Sequence, residues 1–284
     1  MYHKLPVLAT AIIALFSGPV ESQIPPAPPA LSPALTYADL ADLAVPAPIA
    51  AHVRVKDVDM LRAEEAPTVP PGYRRFLIEA EIVALIRGQG GIEGPLTYVV
   101  DLPNDSRGRP ARITRRAEYL ILAQRVPERP NMVRLTAPDA QIAYSPATAD
   151  RLRAILREAN AAGAPPRITG IGRAFHVPGS LPGESETQIF LQTADNRPIS
   201  LSVLRRPGET PSWSVALSEI VDNAAAAPPR ETLLWYRLAC TLPRRLPAMS
   251  FSEASGSEAT AIAADYSLVM SGLGPCQRNR RPRA

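Results

Sequence analysis

Lysine is nearly missing from this chain: Lys4 and Lys56 stand against 29 arginines. That skew follows from genome composition and carries no mechanism. Histidine is also scarce, at His3, His52 and His176, and no His-x-x-x-His or comparable ligand spacing occurs, which argues against a dedicated zinc site. No cofactor motif is complete. Gly170-Ile171-Gly172 lacks the third glycine and the helix of a dinucleotide-binding turn, and Gly88-Gln89-Gly90-Gly91 lacks the lysine of a phosphate-cradling loop. The net charge is only +4 and most arginines are interleaved with acids, so nucleic acid is not an expected partner. Long apolar runs are lacking too. The one run, Leu5 to Phe16, stops at Ser17-Gly18-Pro19, short of the ~20 residues a membrane span needs.

That short run has a different use. A lysine before it and small side chains at Val20 and Ser22 after it read as a secretory signal peptide over residues 1–22, cleaved before Gln23, and place the mature protein in the periplasm or outside the cell. No transmembrane segment is expected after cleavage. An uncleaved anchor helix is the alternative, because Val-x-Ser is a weaker site than Ala-x-Ala. Cys240 and Cys276 are the only cysteines, and an even number in an exported chain predicts one structural disulfide. Chain entropy gives such a bridge roughly 4 kcal/mol at most.

Residues 23–35 form a proline-rich linker that reads as an extended tether. Thr36, with Asp39 three residues on, predicts a capped short helix. From about 48 to 144 the chain carries five strand signals, near 51–55, 73–87, 96–102, 118–123 and 132–136, separated by glycine and proline turns. Ser145-Pro146 then opens a helix with Leu152, Ile155, Leu156 and Ala159 on one face. Ala164-Pro165-Pro166 is the expected boundary between a first domain, 36–163, and a second, 167–277. The second holds hairpin strands near 168–177, 188–192, 199–204 and 213–217 and two helices near 231–241 and 258–272. Ile262, Tyr266, Val269 and Leu273 make one apolar seam on the last helix. The fold class is therefore α+β: an OB-like β-barrel with flanking helices, then an antiparallel sheet with two helices. Arg278, Arg280, Arg281 and Arg283 make a basic tail over 278–284 that reads as a solvated end, with contact to anionic envelope material as its functional alternative.

The segment Phe175 to Thr187 is the most unusual, a glycine-proline loop with His176, Ser180, Ser185, Glu184 and Glu186. A nucleophilic Ser185 or Ser180 with His176 as base defines a hydrolase reading. Against it, Thr187 stands where a nucleophile elbow has glycine, and a strand follows instead of a helix. Glu184 and Glu186 point apart on an extended chain, which argues against sugar cleavage. Trp213, Trp235, Tyr236 and Tyr266 read as core ahead of a sugar-stacking platform.

The layout of short helix, five strands and closing helix resembles the OB-like modules of netrins and tissue inhibitors over about 110 residues; their cysteine framework is absent, so metalloprotease inhibition is not implied. The blocks Thr36–Leu43, Phe175–Leu191 and Thr232–Leu242, with Leu273-Gly274-Pro275-Cys276, resemble an uncharacterised family of exported alphaproteobacterial proteins. That resemblance implies export and no chemistry. The leading expectation is a non-enzymatic module that binds an envelope protein or a cell-wall polymer, with no cofactor and no metal; the rival is a periplasmic hydrolase using the loop.

Overall fold

Thr36 starts the first helix as its spacing predicts: its hydroxyl accepts from the Asp39 N–H, and the Asp39 carboxylate accepts from the Thr36 N–H. The computed structural model describes residues 34–92, 94–217 and 226–280, so the expected signal peptide, the linker up to residue 33, Arg281 and Arg283 lie outside the described residues. Helix α1 (Tyr37–Ala44) leads into β1 (Ile49–Met60), followed by β2 (Tyr73–Arg87), β3 (Leu96–Pro103), β4 (Glu118–Val126) and β5 (Arg129–Leu135). Their order is β1-β2-β3-β5-β4, and β1 pairs again with β4, which closes the barrel. The β3 to β5 pairing is parallel, at Thr97 opposite Met132, and every other pairing among these strands is antiparallel.

Closure depends on the length and curvature of β1. It runs for 12 residues with three register shifts against β2, and such irregularities bend a strand and increase its twist. Its first half thereby reaches β4 while its whole length serves β2. Val53, Val55, Ile78, Ala80, Tyr98, Val100, Ile121, Ala123 and Val133 fill the interior. A short strand the sequence does not announce, β6 (Gln141–Ala143), pairs with β4. Helix α2 (Pro146–Asn160) begins on the Ser145 cap with proline at its first position.

The second sheet has the antiparallel order β10-β9-β8-β7, with β7 (Ile168–Pro178), β8 (Ser185–Thr193), β9 (Ile199–Arg205) and β10 (Ser212–Ala216). Helices α3 (Leu233–Ala239) and α4 (Gly256–Leu273) follow. On α4 the seam Ile262, Tyr266, Val269 and Leu273 is buried. Cys240 caps the C-terminal end of α3 and is bonded to Cys276, just past α4, so the disulfide joins the ends of the two helices.

One apolar cluster links the outer side of β1 and β4 (Ala50, Leu120, Leu122) to α1 and α2 (Leu40, Leu43, Leu152, Ile155). It continues to the inner face of the second sheet (Ile189, Leu201, Val203) and to α3 and α4. The helices are a layer shared by barrel and sheet. Residues Ile49 to Val53 are buried without alternation for this reason: one face looks into the barrel and the other into the helices.

The tail is not a free end. Arg278 forks onto Asp42 and Arg280 onto Asp139, each through two hydrogen bonds, and the backbone N–H groups of Asn279 and Arg280 donate to Asp39. The expectation of a solvated end fails for these two arginines because carboxylates on α1 and on the turn before β6 await them.

Candidate functional site

Edge strand β7 carries His176, and α4 carries Asp265, a carboxylate on an otherwise apolar seam with no exposed surface. Thr187 of β8 sits opposite His176 in the sheet register and joins the two. Its hydroxyl accepts from His176 Nδ1 at 2.8 Å and donates to Asp265 Oδ2 at 2.5 Å. Arg205, at the end of β9, closes on Asp265 Oδ1 at 2.7 Å from Nε and 2.5 Å from Nη2. A carboxylate can only accept, so Thr187 spends its one proton on Asp265 and must receive the proton of His176 Nδ1. The ring is thereby held as a donor at Nδ1, and in its neutral form Nε2 is the acceptor.

His176 lines a cavity of about 480 Å3 between β7, the short 3-10 turn Ala248–Phe251 and the first turns of α4. Phe175, Val177, Met249, Phe251 and Ile262 supply apolar walls, with Val177 and Met249 on the exposed rim. Gly172 permits the bulge in β7 just before this stretch, since a side chain there would press on the Phe190 carbonyl oxygen. The cavity floor comes from the cap of α4. Ser255 and Glu258 exchange hydrogen bonds as a capping box, which fixes the Glu258 carboxylate at the cavity. The Ser255 N–H and hydroxyl, with the His176 ring adding less, hold that carboxyl below the usual range.

Arg173 is ion-paired with Glu253, so the arginine of the lining is already neutralised, whereas Glu258 enters no ion pair among the described residues. The Ser250 hydroxyl is buried and has no hydrogen-bond partner. A buried polar atom without a partner is uncommon and costs stability, which makes it a pointer to something that binds there.

Ser185 lies opposite Pro178 and Arg205 in the sheet, and no hydrogen bond joins Ser185 or Ser180 to His176 among the described residues. The hydroxyl that does reach His176, Thr187, has no exposed surface. Glu184 caps its own turn by accepting from the Ser180 and Leu181 N–H groups. His52 stacks on Tyr144, centroids 3.8 Å apart, and contacts Glu118 at 3.0 Å, while Arg54 grips the same carboxylate and, with His52, holds it below its usual range. No cluster of three metal-ligating side chains exists among the described residues. The outer side of the barrel shows Val83, Leu85 and Val99 partly exposed, and Arg75 there is neutralised by Asp101.

Sequence reasoning found His176 and missed Thr187, Asp265, Arg205, Ser250 and Glu258 as its companions. One signal was available: Asp265 interrupts the apolar seam one residue before Tyr266, where a carboxylate must find partners.

The fold and this cavity define an α+β protein with a closed five-stranded OB-like barrel, a second antiparallel sheet and one disulfide. Compared with known proteins, the chain matches no family model and no curated relative.

Proposed function

We propose that this protein is an exported, non-enzymatic binding module of the cell envelope, and that its ligand sits in the cavity beside β7. The observation that carries the reading is the unpartnered Ser250 hydroxyl in a concave lining, half polar and half apolar, that also holds His176 and Glu258. Pockets that bind small groups combine apolar walls with placed polar atoms, and this lining offers both. The Cys240–Cys276 bond suits an oxidising compartment, and no helix among the described residues is long and apolar enough to cross a membrane. A serine hydrolase is the weaker reading, because the hydroxyl held by His176 is buried on Thr187 and committed to Asp265.

The test uses the mature protein to capture material from gently cross-linked envelope, beside an Ala254→Trp variant that fills the cavity and is checked for native circular dichroism. A component retained by the wild type and lost with the tryptophan is the expected result. Retention that ignores the tryptophan would move the binding site elsewhere, and no specific retention at all would overturn the binding reading.

A further inference from the structure

The cavity beside β7 holds more than an apolar void, and the balance of its donors and acceptors points to a class of ligand. Resting on the binding reading above, we infer that this cavity recognises a primary aliphatic ammonium group on an apolar stem, through Glu258, His176 Nε2 and the Ser250 hydroxyl.

Arg173 and Glu253 cancel, which leaves Glu258 as the one carboxylate of the lining with no arginine or lysine partner among the described residues. An anionic ligand would meet that carboxylate with no cation to offset it, and a neutral one would leave it unanswered. Thr187 and Asp265 fix the His176 proton on Nδ1, so in the neutral ring Nε2 is an acceptor. Glu258 commits one oxygen, Oε2, to the Ser255 N–H and keeps Oε1 for another donor. Ser250 Oγ, buried and unpartnered, accepts as readily as it donates. Three acceptors in one lining suit a group with three N–H donors and no acceptor, which an alkylammonium has and a guanidinium, with its planar fork, presents in a different geometry.

Phe175, Val177, Met249, Phe251 and Ile262 give walls for a chain of methylenes, and a volume of about 480 Å3 admits a group the size of a lysine side chain while staying within the ordinary range of ligand pockets. The exposed rim at Val177 and Met249 leaves the entrance apolar, as a stem that carries its charge at the far end requires.

The experiment is a calorimetric or NMR titration of the whole mature protein with n-hexylammonium, hexanoate and 1-hexanol at pH 8, above the ordinary titration range of imidazole. Glu258→Gln and Ser250→Ala are titrated alongside; glutamine keeps the capping box, so helix α4 remains formed. Saturable binding of hexylammonium alone is expected, weakened about tenfold or more by Glu258→Gln and less by Ser250→Ala. Nα-acetyl-lysine amide and 1,6-diaminohexane then separate a peptide-borne amine from a free polyamine, and the tighter of the two names the source. Hexanoate or hexanol binding as tightly as the amine, an unchanged Kd in Glu258→Gln, or no binding of any amine would overturn the proposal. If the amines fail while Ala254→Trp still abolishes envelope capture, the ligand class is wrong and the binding site stands; if both fail, the binding reading falls with it.

Discussion

Asp39 shows how much one side chain can be asked to do. It caps α1 by accepting from the Thr36 N–H and at the same time accepts the backbone N–H groups of Asn279 and Arg280 from the far end of the chain. Burial alone would raise its pKa, but those three donors outweigh it and hold the carboxyl below its ordinary value of 3.8. The sign follows from linkage. A carboxyl whose pKa is lower in the folded state contributes in full above the unfolded value and loses that contribution as pH falls through the folded one. Thermal unfolding of the wild type should therefore weaken from about pH 5 downward more steeply than that of Asp39→Asn. At pH 7, Asp39→Ala should cost about 2 kcal/mol, since three part-buried N–H groups lose their acceptor. Equal pH slopes in wild type and Asp39→Asn would show that the tail contact is not ionic in origin.

At the scale of elements, the disulfide is the feature with the clearest expected effect. It ties the C-terminal end of α3 to the chain just beyond α4, and those helices meet through Trp235, whose indole N–H donates to the Leu273 carbonyl at 2.9 Å. Cys240→Ser with Cys276→Ser should lower the urea midpoint by an amount worth about 2–4 kcal/mol while leaving the helix signal near 222 nm in place. Loss of the helical signal in native buffer would mean that the bridge is needed for folding itself. The elements were largely legible beforehand because their signals are local. Thr36 with Asp39, Ser145-Pro146, and the seam from Ile262 to Leu273 each state a boundary or a face within a few residues. Strand β6 was not legible: its three residues show no period, and what makes them a strand is the free edge of β4. The site was only partly legible for a related reason. His176 stands out as a rare residue in a marked segment, but Thr187, Arg205 and Asp265 come from three other elements, and nothing in their spacing announces that the sheet register and one helix face bring them together.

On the whole-molecule scale, the shared helical layer sets how the protein opens. The cluster that holds α1 and α2 against β1 and β4 also receives the inner face of the second sheet, so neither sheet can lose its core without exposing the helices that cover the other. Hydrogen exchange followed by mass spectrometry should give the slowest amides of β4 and of β9 the same opening free energy, the signature of one cooperative unit. Two well-separated values would mean that barrel and second sheet unfold as independent bodies.

The contact between Asp39 and the tail also orders events in time. Two of the donors that hold the Asp39 carboxylate, on Asn279 and Arg280, are made 240 and 241 residues after it. Helix α1 cannot complete its partners until Asn279 and Arg280 have been made, so the strap can close only after every strand and helix described above exists. A product cut short before residue 279 would carry every strand and helix described above and still leave Asp39 without two of its three backbone donors.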